Sequence, residues 1–161
     1  MIFITVGTQP QLFTRLFKKI EELIDNREIN DEIIAQVGLN VVNNDKIKCF
    51  SYLKMTEMRK FIEDADIIIS HGGAGSIITA LKMGKKVIGI PRISKYGEHI
   101  NDHQVDLINA LSNEGYIIPL YNIDLLKNAI EKSYNFNPKP FKSGQEEIIK
   151  DIKSFIDKAN I

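Results

Sequence analysis

Three glycines, Gly72, Gly73 and Gly75, fall within the segment Ser70-His71-Gly72-Gly73-Ala74-Gly75-Ser76, directly after the apolar run Ile67–Ile69. Glycines packed this densely let a backbone approach a ligand closely. If a helix starts here, its free N–H groups and positive dipole end point at whatever fills the turn. Phosphate is the natural occupant. His71 can donate to a phosphate oxygen, or bond to backbone at the strand end; Ser76 can cap the helix and touch phosphate at once. The spacing is neither G-x-G-x-x-G nor a P-loop ending in Gly-Lys-Ser/Thr, which disfavours dinucleotide and NTPase readings.

Three further loops carry chemistry. Gly7-Thr8-Gln9-Pro10 suits an anion or a sugar hydroxyl, and equally a tight turn capping the next helix. The loop from Pro91 to Gln104 holds Arg92, Lys95, Glu98, His99, Asp102, His103 and Gln104, side chains able to read sugar hydroxyls or move a proton. Its plainer reading is a solvated loop with Asp102 as helix cap. Phe50-Ser51-Tyr52-Leu53 offers backbone and aromatic surface for a flat base, or ordinary core.

These loops need a frame that presents them together. Short β-branched runs, each followed by an amphipathic stretch, predict an α/β fold: a Rossmann-like parallel sheet with helices on both faces. Strands are predicted at 2–6, 32–37, 47–50, 66–70, 86–90 and 116–118, and helices at 11–24, 56–64, 76–83, 102–113 and 124–134. In such sheets ligands bind beyond the carboxyl ends of the strands, where all four loops lie. Residues 135–144, with Pro138, Pro140 and Gly144, read as a linker to a last helix at 145–158. That helix carries the stripe Ile148, Ile149, Ile152, Phe155 and Ile156, suited to a partner subunit or to its own sheet.

With 161 residues and 43% hydrophobic content, the chain suits a single domain, and 21 basic against 21 acidic side chains leave no global field for nucleic acid. The lone Cys49 rules out an internal disulfide, and no Cys/His cluster has zinc spacing. A reducing cytoplasm fits best. No signal-peptide pattern opens the sequence, and no apolar run reaches bilayer length.

Taken together, the T-V-G-T start at Thr5–Thr8, H-G-G-A-G-S at His71–Ser76, G-K-x-V-I-x-I-P-R at Gly84–Arg92 and G-E-H-x-N-D-H-Q at Gly97–Gln104 resemble the carboxyl-terminal domain of family 28 glycosyltransferases. The likeness is specifically to its stand-alone form, the small subunit of two-component UDP-sugar transferases. The resemblance implies the donor-binding half of a GT-B fold and an inverting hexosyltransferase. UDP-sugar is its substrate, and a lipid-linked saccharide of capsule or exopolysaccharide synthesis is its acceptor. It implies a membrane-associated, acceptor-binding partner subunit that holds this cytoplasmic chain at the inner face of the membrane.

By the same resemblance the base lies near Phe50, Tyr52 and Leu53, and the diphosphate on His71, Gly72, Gly73, Ala74, Gly75 and Ser76. The sugar then sits near Asp102 and Gln104. From the residues themselves, Gly7 and Thr8 join the donor site, and Arg92 or Lys95 either adds positive charge near the leaving group or lies on the surface. Glu98, His99 and His103 are candidate general bases, unless the base belongs to the partner. The sequence departs from the family at Thr79, where relatives commonly place a ribose-binding glutamate; Glu98 is a possible substitute. The departure leaves room for an alternative, a non-catalytic activating subunit. No metal or other cofactor is expected, because loop amides and a helix dipole can stabilise the departing diphosphate. Asp64-Ala65-Asp66 resembles a D-x-D metal motif but sits at a helix-to-strand junction.

Overall fold

The structure, a computed structural model, describes residues 1–141; the helix read at 145–158 lies outside the described residues. Six parallel strands form one sheet: β1 (Ile2–Thr5), β2 (Ile33–Gln36), β3 (Ile47–Phe50), β4 (Ile67–Ser70), β5 (Lys86–Gly89) and β6 (Ile118–Pro119), in the order β3-β2-β1-β4-β5-β6. The order reverses direction between β1 and β4, which pair from Ile2↔Ile67 to Thr5↔Ser70. A crevice opens at such a switch point.

Side chains alternate across the sheet, so each strand feeds two cores. Ile2, Ile4 and Val6 pack with Ile67, Ile69, Ile88 and Ile90 under α1 (Thr14–Asp25) and α5 (Leu126–Asn135). Phe3, Ile34, Ile68 and Val87 face the other way, against α2 (Met55–Asp64), α3 (Ala74–Lys82) and α4 (His103–Asn113). Helices therefore cover both faces, as the hydrophobic pattern predicts.

Three boundaries move for definable reasons. The first helix starts at Thr14 rather than Gln11, because the Gln11 carbonyl is taken by the Arg92 guanidinium and the Phe13 amide by Asn40 Oδ1. β6 starts at Ile118 rather than Tyr116: Gly115 turns with φ +79° and the Tyr116 amide bonds back to Leu111 O, a Schellman-type stop that delays the strand. α3 starts at Ala74, two residues earlier than Ser76, so Gly73 stands at its cap and Gly75 within its first turn. Of the stretch read as a linker, the Lys139 amide bonds Gly115 O at 3.1 Å and Phe141 meets the edge of the Tyr116 ring.

Candidate functional site

A cleft of about 700 Å³ lies at the switch point, walled by the loop after β1, the start of α2, the β4–α3 turn and the β5–α4 loop. Of the side chains and glycines singled out in the sequence, it gathers Gly7, Thr8, His71, Gly73, Gly75, Ser76, His99 and Gln104. A smaller adjoining hollow of about 250 Å³ is lined by Gly72, Gly73, Ala74, His99, His103 and Gln104.

The anion-binding end is α3. Its cap position is Gly73, with no side chain capping it, and the first amide to bond within the helix is that of Ile77, to Gly73 O at 3.2 Å. The amides of the first turn are thus left to a ligand. Ser76 is inside the helix rather than its cap; its hydroxyl donates to Gly73 O at 3.1 Å and meets Ser70 Oγ at 3.2 Å.

His71 is buried at the end of β4, its Nδ1 3.1 Å from the Thr5 carbonyl. Burial, and secondarily the Arg92 charge, pushes its pKa down to about 4. The glycines accommodate this ring. A Cβ on Gly7 or on Gly73 would lie 2.6 Å from its Nε2, and one on Gly72 would lie 2.9 Å from Gln104 Cβ. Part of the glycine density thus serves the packing of the site's own side chains, while Gly75 faces open space.

Support comes from Gln36, a strand-end residue that belongs to no motif. Its buried amide accepts from the Thr5 hydroxyl (3.0 Å) and the Gly7 amide (3.1 Å), and donates to the carbonyls of Gly7 (2.9 Å) and Ser51 (3.1 Å). It locks the β1 loop to the β3 loop. Gln104 is positioned by the Arg92 amide, which donates to its Oε1 at 3.0 Å, leaving its NH2 as the group able to donate to a ligand.

Other expected site residues are not brought to the cleft. Arg92 is fully buried and donates to the carbonyls of Val6 (2.6 Å), Gln11 (2.9 Å) and Glu98 (3.3 Å), so it staples loops instead of meeting a leaving group directly. Glu98 is 3% exposed, paired with Arg15 at 2.7 Å and accepting from the Ile93 amide at 3.0 Å. It is turned to α1, away from the position of a base or a ribose contact. Asp102 spends both carboxylate oxygens on Ser94, on its amide (2.7 Å) and hydroxyl (3.0 Å), which hold it below the usual carboxylate range. That leaves it a loop clasp rather than a sugar reader.

Phe50 and Leu53 pack into the core, Phe50 against Phe61, and with the exposed Tyr52 they stand outside the cleft lining. The β3 side is supplied instead by the next residues, Met55, Thr56, Met58 and Arg59 of α2. Met55 stands just before the helix start predicted at 56, and only the structure shows that it is 79% exposed. Thr79 also lines the cleft, its hydroxyl donating back to Gly75 O at 2.8 Å. Lys95 stands outside the cleft lining, over the Tyr96 ring. Among the described residues no three His, Cys, Asp or Glu side chains gather as metal ligands, and Asp66 bonds the terminal amine at the opposite end of the sheet. No described helix is long and apolar enough to cross a membrane.

The sequence profile of the glycosyltransferase family 28 C-terminal domain matches residues 1–159. The UDP-N-acetylglucosamine transferase subunit ALG13 of Candida albicans is 27% identical over 131 residues, covering 81% of this chain. The chain spans 41% of that protein's length. The solution structure of ALG13 superimposes with a TM-score of 0.55 at 22% identity, covering 87% of this chain and 88% of that one. MurG of Acinetobacter baumannii gives a TM-score of 0.57 at 16% identity over 82% of this chain but only 41% of its own. The fold is that of one half of a GT-B glycosyltransferase.

Proposed function

The chain belongs to the family of glycosyltransferase family 28 C-terminal domains, and on that premise we propose that it is the donor-binding subunit of a two-part inverting glycosyltransferase. One observation carries this reading: the uncapped first turn of α3 opens into a cleft at the β1/β4 switch point, beside a buried imidazole. In the proposed complex the diphosphate of a UDP-sugar sits on the amides of Ala74, Gly75 and Ser76 next to His71. Met55 and Met58 flank the base, and Gln104 with His99 reads the sugar.

The names of the relatives support an N-acetylhexosamine, and UDP-N-acetylglucosamine is the first donor to test. An acceptor hydroxyl attacks the anomeric carbon from the face opposite UDP; the C–O bond to the β-phosphate breaks, and the hydroxyl proton passes to a base. We assign that base to the partner; of this chain's candidates, His99 lines the cleft and His103 the adjoining hollow. Helix amides stabilise the departing diphosphate, so transfer needs no divalent metal.

The partner is proposed to be a membrane-associated, acceptor-binding subunit carrying a lipid-linked saccharide, with surface polysaccharide as the destination of the product. Leu39, Val41, Met55 and Ile100, all more than half exposed, lie at the same pole of the sheet as the cleft, where an opposing domain would cover them. The test is transfer from radiolabelled UDP-N-acetylglucosamine to lipid in membranes of the source cells depleted of this chain. Adding the chain is expected to restore transfer, unaffected by chelators, and Gly73→Ala to abolish it. Full restoration by Gly73→Ala would instead favour a non-catalytic activating subunit.

A further inference from the structure

His71 has a fixed tautomer. Its Nδ1 faces the Thr5 carbonyl at 3.1 Å, and a carbonyl oxygen only accepts, so Nδ1 carries the hydrogen. On a neutral ring Nε2 is then a bare lone pair. That atom occupies the space left by Gly7 and Gly73, on a side chain that lines the cleft.

Among the described residues, those lining the cleft around it offer no carboxylate. Thr5 of β1, Gly7 of the following loop, Gly73 at the cap of α3, Ser76 within it and Gln104 of α4 are neutral; Arg92 beyond β5, His99 of the following loop and Arg59 of α2 are the basic groups. Before ligand binds, burial and the Arg92 charge keep the ring neutral, with a pKa of about 4. A phosphate oxygen placed beside Nε2 would meet lone pair against lone pair, while its charge would reverse the local potential that keeps the proton off.

We propose that UDP-sugar binding is coupled to the uptake of one proton from solvent by His71 Nε2, so that the diphosphate is held by an imidazolium bridged between Thr5 O and a phosphate oxygen. The proton comes from water or buffer, no bond of the ligand breaks, and the proton leaves when UDP is released. The imidazolium supplies a mobile positive charge at the leaving group, in a cleft whose described lining holds no acidic side chain. This inference rests on the donor-site reading above.

Calorimetric titration of the full chain with UDP-N-acetylglucosamine, whose diphosphate does not titrate near neutrality, reads the proton directly when run in buffers of different ionisation enthalpy. About one proton is expected per ligand near pH 6, with Kd weakening about tenfold per pH unit from about pH 5 to about pH 7. In His71→Gln the uptake vanishes and Kd becomes flat with pH. Ring 15N shifts of His71 provide a second readout in the unaltered chain: a lone-pair Nε2 when free and two protonated nitrogens when bound. Binding without proton uptake, uptake that persists in His71→Gln, or a lone-pair Nε2 in the complex overturns the proposal. Absence of any binding overturns the donor-site reading and this proposal with it.

Discussion

His71 makes the free chain acid-sensitive in a way that can be signed. Its folded pKa of about 4 lies below the ordinary 6.5, so between those values the unfolded chain holds a proton that the native chain excludes. Stability is complete above the ordinary value and falls as pH drops through the window, by up to about 3 kcal/mol. Urea denaturation at neutral pH and near pH 4.5 measures this, and His71→Gln is expected to lose that part of the pH dependence. Glu98 behaves differently. Glu98→Gln removes the charge facing Arg15 and is expected to lower stability by about 2 kcal/mol. UDP-sugar affinity should change by less than about threefold, well under 1 kcal/mol; a large loss of affinity would return Glu98 to the binding machinery.

At the scale of elements, the two glycines at the start of α3 have opposite prospects. Gly73 has ordinary angles, φ −70° and ψ 120°, so Gly73→Ala adds only a methyl that meets the His71 ring at 2.6 Å. Stability should fall by about 1–3 kcal/mol from overpacking, and donor affinity by at least about tenfold, equal to about 1.4 kcal/mol. Gly75→Ala meets nothing within 4 Å and should stabilise the helix by about 0.5–1 kcal/mol in the same melts. Gln36→Leu, which takes their Gln36 partner from the Gly7 amide, the Gly7 carbonyl and the Thr5 hydroxyl, should cost about 3 kcal/mol by chemical denaturation. The strands and most helices were legible in the sequence because hydrophobic period and β-branching are local, and so was the His71–Ser76 turn, because glycine density is local. The positions of Arg92, Glu98 and Asp102 were not legible, for the opposite reason. A charged side chain in a polar loop looks the same whether it faces a ligand or, like Arg92 reaching Val6 O, a carbonyl 86 residues away. Gln36 was invisible because a polar residue at a strand end gives no sign of four distant hydrogen-bond partners.

The whole molecule divides its work by pole. The amino ends of the strands carry Asp66 bonded to the terminal amine, and the carboxyl ends carry the cleft and a group of exposed apolar side chains. The proposed half-enzyme fits that polarity, with the cleft at the carboxyl ends of the strands. The most direct test is a titration of the 15N-labelled chain with UDP-N-acetylglucosamine, followed by amide chemical shifts. The account predicts saturable changes centred on Gly7, His71 to Ser76 and Gln104, with little at Asp66, Lys85 or Tyr134 at the far pole. Shifts centred on that far pole, or equal responses to a nucleoside lacking the diphosphate, would contradict it.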